Sequence, residues 1–278
     1  VRCCTQNGVR GGSATVHFPI WHKEIEDILV LKNNKGTEDN RVRKLDYSIQ
    51  ITKLFYERFI KNAEISLFSP NNVPGLYEAF GMPEFDDLYI KYEKDKSVPR
   101  STVGAQELFM DLLKERAETG RIYIMNLDHC NTHSSFKDKV YMTNLCQEIT
   151  LPTTPVQHID DKEGEIALCI LSAINLGLLS DMDELEELCD LSVRALDEII
   201  DYQEYPVEAA KISTQARRSL GIGYIGLAHY LAKNQVGYED KKALKLVDKV
   251  TEAFQFYLLK ASNNLAKEKT KCLWFEKT

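Results

Sequence analysis

The chain has 278 residues, 44% of them hydrophobic and 28% charged, with a formal net charge of -7. That length and composition suit a globular chain with a sizeable core and exclude a disordered or fibrous one. The acidic balance argues against general affinity for nucleic acid or anionic membrane, and no apolar run approaches the roughly 18 residues that a membrane span requires.

Seven cysteines (Cys3, Cys4, Cys130, Cys146, Cys169, Cys189 and Cys272) are too sparse and too odd in number for a secreted disulfide scaffold. Reduced thiols in a cytoplasmic protein are therefore expected, with any disulfide being catalytic. The chain begins with Val1 in a glycine-containing loop, which reads as an excerpt of a longer protein.

The opening stretch Gln6-Asn7-Gly8-Val9-Arg10-Gly11-Gly12-Ser13 has glycines that let backbone approach a ligand. Its Gln6 and Arg10 suit hydrogen bonds to a base or phosphate, although a solvated turn is the plainer reading, since neither a dinucleotide nor a P-loop spacing is present. Residues 16–20 read as a strand and 21–31 as a helix with Ile25, Ile28 and Leu29 on one face. A turn follows at Asn33-Asn34-Lys35-Gly36, then a basic run, then a strand or helix start over 45–51.

Residues 64–68 read as a strand, 76–80 and 85–92 as helical, and 105–118 as a helix whose Leu108, Phe109, Leu112 and Leu113 form a stripe ended by Gly120. A strand over 121–126 completes a strand, helix, strand succession, which predicts α/β layering. Asp128-His129-Cys130-Asn131-Thr132-His133 gathers one thiol and two imidazoles. The spacing is short and lacks a second ligand pair, so a polar loop is expected rather than a metal site.

In Asn144-Leu145-Cys146-Gln147-Glu148-Ile149, an amide, a thiol and a carboxylate occupy alternate positions. An extended backbone would put Asn144, Cys146 and Glu148 on one face, a layout suited to chemistry on a polyol. The plainer alternative is a strand edge with an inert buried cysteine.

The apolar run 165–172, containing Cys169, reads as a buried parallel strand, and 183–202 as an amphipathic helix. Gly221, Gly223 and Gly226 match G-x-G-x-x-G but lack the acidic residue roughly 20 positions on, so no dinucleotide site is assigned. A last helix spans about 241–267. With no repeat or linker, 1–278 reads as one contiguous, incomplete domain.

Four stretches carry a resemblance: RIYIMNLDHCNTHS from Arg121, NLCQEI from Asn144, GEIALCILSAINLG from Gly164 and RRSLGIGYIGLAHYLA from Arg217. Together they resemble the large, catalytic subunit of class I ribonucleoside-diphosphate reductases, in order and over essentially the whole chain. The resemblance implies part of that family's ten-stranded α/β barrel, with Cys146 on a central finger loop. It implies that Cys146 forms a thiyl radical and takes hydrogen from C3′ of the ribose. Glu148 would be the base for the 3′-hydroxyl, Asn144 would hold the reacting hydroxyls, and Cys169 would be one member of the reducing dithiol. Gln6 and Arg10 match the loop that reports bound effector to the substrate base.

The same resemblance implies ribonucleoside diphosphate substrates, ATP and dNTP effectors, and a large-subunit homodimer. A metal-containing small subunit would supply the radical, and thioredoxin or glutaredoxin would re-reduce the dithiol. This segment itself would hold no metal or cofactor. The partner thiol of Cys169 is expected upstream of the effector loop, and Cys3 and Cys4 do not match it. The ATP cone, most of the effector site, the radical-relay tyrosines and the C-terminal cysteines are also unmatched, so the isolated chain is expected to be inactive. A catalytically dead barrel remnant is the alternative.

Overall fold

The computed structural model describes residues 5, 6 and 8–278. Cys3, Cys4 and Asn7 lie outside the described residues, as does the side chain of Gln6. The chain divides into two compact units, Val1–Pro152 and Thr153–Thr278.

The first unit opens with the paired strands β1 (Thr5–Gln6) and β2 (Arg10–Gly11). It continues through β3 (Thr15–Pro19), α1 (Ile25–Leu29), β4 (Asp46–Ile51), α2 (Lys53–Ile60) and β5 (Glu64–Leu67). Next come α3 (Leu76–Ala79), α4 (Phe85–Lys94), β6 (Ser101–Gly104), α5 (Ala105–Thr119), β7 (Ile122–Asn126) and α6 (Leu127–Thr132). Strands β3, β4 and β7 form a parallel sheet in that order, with His17 opposite Ser48 and Ser48 opposite Tyr123.

Alternation along these strands sorts their side chains onto two faces. Val16, Phe18, Tyr47, Ile49, Ile51, Ile122 and Ile124 join residues of α1, α2 and α5 in one apolar cluster. Thr15, His17, Asp46, Ser48 and Gln50 occupy the other face, and the last three are buried although polar. A parallel sheet with helices on one side and polar groups on the other is the layering expected of a barrel wall.

The expected helix over 21–31 is shorter in the structure, because the chain turns twice before α1. His22 N–H donates to the Pro19 carbonyl and Ile25 N–H to the His22 carbonyl, both at 3.0 Å. The turns send Trp21 into a second cluster with Phe68, Phe80, Phe85 and Tyr89, away from Ile25. The stop of α5 is as expected, since Gly120 takes φ 67°, a left-handed conformation that costs glycine little.

Helix α6 (Leu127–Thr132), capped by His133, stands where a polar loop was expected over 128–133. Asn131, in the last turn of α6, ties the helix to the segment that follows: its side-chain nitrogen donates to the Leu127 and Val140 carbonyls and its side-chain oxygen accepts from Val140 N–H.

The second unit contains β8 (Leu171–Asn175), α7 (Asp183–Tyr202), α8 (Glu208–Arg217), β9 (Gly221–Ile225), α9 (Leu227–Lys233) and α10 (Lys241–Glu268). Strands β8 and β9 pair in parallel, Ala173 opposite Gly223. Ion pairs Glu186–Lys260, Arg194–Glu268 and Asp197–Lys269 advance together along α7 and α10, so the two helices run parallel. Ile174, Leu185, Cys189, Val250 and Phe254 fill the space between helices and strands.

The expected strand 165–172 starts later, at Leu171. Its front is held elsewhere, because Glu165 pairs through its backbone with Thr154 and through its carboxylate with Arg217. Gly226, at φ 75°, caps α9, and a Cβ there would stand 2.2 Å from Asn175 Oδ1, whereas one on Gly223 would meet nothing within 4 Å. The glycine spacing therefore serves a close strand-to-helix turn rather than a dinucleotide.

Candidate active site

Residues 141–149 form a loop across the polar face of the β3-β4-β7 sheet. It is not extended. Leu145 and Cys146 lie in a turn closed by Gln147 N–H donating to the Asn144 carbonyl at 3.3 Å, and Gln147 takes φ 66°. Asn144 and Ile149 close the base of the loop: Ile149 N–H donates to Asn144 Oδ1 at 3.0 Å, and Asn144 N–H to the Ile149 carbonyl at 3.4 Å. The period-two face expected for Asn144, Cys146 and Glu148 is thus replaced by a tip. A left-handed residue after a turn reverses the chain in a short loop and breaks the strand alternation.

Asn144 is half-buried, with its carbonyl oxygen committed to the loop and its amide nitrogen left to donate, while Cys146 and Glu148 are exposed. The turn directs the Leu145 carbonyl at the sheet, where it accepts from Thr15 Oγ1.

Three sheet residues hold the loop by hydrogen bonds, and none was singled out in the sequence. Thr15 Oγ1 donates to the Leu145 carbonyl at 2.8 Å, Gln50 Nε2 donates to the Tyr141 carbonyl at 2.6 Å, and Gln147 Nε2 donates to Ser48 Oγ. His17 lies buried under the same loop beside the Thr143 backbone, and burial pushes its pKa below the ordinary imidazole value. The signal was present as polar residues alternating with apolar ones in Thr15-Val16-His17-Phe18 and Asp46-Tyr47-Ser48-Ile49-Gln50-Ile51. A parallel strand covered by helices on one side reads this way when its other side meets polar groups.

The approach to the loop is fixed by aromatic contacts. Tyr141 stacks on Tyr77 with ring centroids 6.4 Å apart, and Lys139 sits 4.4 Å above the Tyr141 ring. Burial lowers the Lys139 ammonium to about 8. Beside the loop an open pocket of about 380 Å³ is lined by Asn126, His129, His133, Thr143, Gln147 and Thr150, among others. It opens at the carboxyl end of β7, where parallel α/β sheets characteristically take ligands. His129 and His133 face each other one helical turn apart in its wall, yet among the described residues no group of three or more metal-ligating side chains could hold an ion.

Cys169 belongs to the second unit. Leu168 and Ile170 pack toward α7 in a small cluster with Leu196 and Ile200, so Cys169 between them projects to the opposite face and is exposed. Leu171 and Ala173 continue that face along β8, and Gly221 and Gly223 keep the adjoining strand bare. The thiol therefore stands on the side of β8 away from the helices. It is not part of the core. Arg10 is exposed in β2, and the backbone of Gln6 pairs with it across the short hairpin.

Parallel strands backed by helices, with a loop across their polar side, are parts of an α/β barrel. The chain belongs to the ribonucleotide reductase barrel-domain family, whose sequence profile matches residues 1–278. It is 59% identical to the ribonucleoside-diphosphate reductase subunit alpha of Haemophilus influenzae and 56% identical to the reductase 1 subunit alpha of Escherichia coli. Both alignments span 283 positions and cover 100% of this chain. The subunit alpha of Enterobacteria phage T4 is 44% identical over 277 positions, covering 97% of the chain. The chain spans 37% of the length of each of the two bacterial relatives and 36% of the phage subunit. No helix among the described residues is long and apolar enough to cross a membrane.

Proposed function

We propose that the full-length polypeptide carrying this chain reduces ribonucleoside diphosphates to 2′-deoxyribonucleoside diphosphates, with Cys146 as the hydrogen-abstracting thiyl. The observation that carries this reading is the position of Cys146, at the tip of a tethered loop over the polar face of a parallel sheet, with Glu148 two residues on. In the reaction the Cys146 sulfur takes the hydrogen atom from C3′, forming S–H and a carbon radical. Glu148 takes the proton of the 3′-hydroxyl, which eases departure of the 2′-hydroxyl as water. The amide nitrogen of Asn144 donates to the reacting hydroxyls.

Two thiols, Cys169 and a second cysteine, become a disulfide and supply two electrons and two protons. One proton leaves in the water and the other arrives at C2′. Glu148 returns its proton to the 3′-oxygen as Cys146 returns its hydrogen to C3′, and the Cys146 thiyl radical is regenerated.

The exposed Cys169 face of β8, lined by Ala173 and Gly223, leaves room for such a partner sulfur, whose Cα must come within roughly 4.4 to 6.8 Å. In this reading a metal-containing small subunit supplies the radical, and thioredoxin or glutaredoxin re-reduces the dithiol. The large subunit works as a homodimer in the cytoplasm, and Gln6 and Arg10 report bound ATP or dNTP effector to the substrate base.

The test is an assay of the full-length polypeptide with its radical-bearing small subunit, a dithiol and CDP. Formation of dCDP is expected. Recovery of CDP unchanged while the small subunit's radical remains intact would refute the reading.

A further inference from the structure

We infer that Thr15 is a positioning residue for Cys146. This inference rests on the proposed role of the Cys146 sulfur and adds what orients it. The Leu145 carbonyl belongs to the peptide that joins Leu145 to Cys146, and Thr15 Oγ1 donates to it at 2.8 Å across 130 residues of sequence. The other bonds from the sheet act farther from the sulfur along the backbone, since Gln50 grips Tyr141 and Ser48 meets the Gln147 side chain. On the far side of Cys146 the next peptide is held within the loop itself, by Gln147 N–H donating to the Asn144 carbonyl.

The hydroxyl of Thr15 therefore fixes the peptide plane from which the Cys146 side chain departs. Thr15 can do so because it sits at the first position of β3, hydrogen-bonded into the sheet with Asp46 as its neighbour, so its own backbone is held. As a β-branched residue on a strand it also has a restricted χ1, and the hydroxyl is aimed without further ordering. Hydrogen transfer between carbon and sulfur is steeply sensitive to alignment, and a misplacement of about 1 Å costs on the order of 100-fold in rate.

Thr15→Val keeps the shape and removes the donor, while Thr15→Ser keeps the donor. In the full-length enzyme Thr15→Val is expected to lower kcat by roughly 10- to 100-fold with KM for CDP within about twofold, the signature of a reacting group out of line rather than a lost binding contact. Thr15→Ser is expected to hold kcat within about threefold of the parent, since the hydrogen bond survives.

Wild-type kcat in Thr15→Val overturns the inference. So does a Thr15→Ser enzyme as slow as Thr15→Val, because the hydroxyl would then not be the operative group. Cys146→Ser assayed alongside separates the two levels: an active Cys146→Ser enzyme removes the underlying reading. An inactive Cys146→Ser beside an unimpaired Thr15→Val removes only the positioning role.

Discussion

Cys146→Ser in the full-length polypeptide loses turnover by a factor of about 10⁴ or more, the scale seen when an essential reacting group is removed. The substitution swaps one atom for another of similar size in a turn held by backbone hydrogen bonds, so the fold has no steric reason to respond. Surface changes away from packed groups usually stay within about 0.5 kcal/mol. The chemistry does respond, because an O–H bond is stronger than an S–H bond and the radical is not passed to a hydroxyl. Product formation and thermal unfolding should be read on the same preparation. Deoxynucleotide formation at more than a few per cent of the parent rate would dismiss Cys146 as the abstracting atom, and a large fall in unfolding temperature would show that the loop has a structural duty instead.

Arg217→Ala destabilises the second unit by roughly 3 to 5 kcal/mol, the usual result of removing one partner of a buried ion pair. The Arg217 guanidinium donates to Glu165 Oε2 through Nε at 3.1 Å and Nη2 at 2.9 Å, with its side chain only 4% exposed. It also lies 5.0 Å from the Trp274 ring centroid, so it ties the start of the Cys169 segment, the end of α8 and the C-terminal stretch together. Once it is gone, Glu165 keeps a buried carboxylate whose remaining cation, Lys277, stands 3.9 Å away. The double variant Glu165→Gln with Arg217→Met should recover much of the loss, since no buried charge is then stranded. Urea unfolding of the chain measures both variants. A shift in Arg217→Ala worth less than about 1 kcal/mol would mean that the pair is not what holds this segment.

These two sites also mark how far the sequence could be read. The helices were legible where the apolar stripe is long: α7 spans the residues its period marks, and α5 stops at Gly120 because no other residue takes φ 67° as easily. Strands β3 and β7 were legible in the sequence and β4 only as a strand or helix start over 45–51, while the burial of their polar side was not. What makes Ser48 and Gln50 buried is a loop about 95 residues downstream, a distance over which local pattern carries no information.

The same non-local pull explains the late start of β8. The run 165–172 is apolar enough for a strand, yet Glu165 is committed to Arg217, 52 residues later. At the candidate site, the identity of Asn144, Cys146 and Glu148 was readable and their geometry was not. Alternation predicted a shared strand face, whereas the bond from Gln147 N–H to the Asn144 carbonyl and the left-handed Gln147 make a turn. Alternation marks Thr15 and Gln50 as lying on a polar sheet face, but not what they bind, since both act on backbone carbonyls, which leave no mark in the sequence.

The most direct measurement is an isotope competition at C3′. The full-length enzyme, supplied with its radical-bearing small subunit and a dithiol, is given an equal mixture of CDP and 3′-deuterated CDP, and the first dCDP formed is analysed. Cleavage of the C3′ bond by the Cys146 sulfur predicts product depleted in deuterium relative to the starting mixture. Product carrying the isotopes in their starting ratio would contradict it.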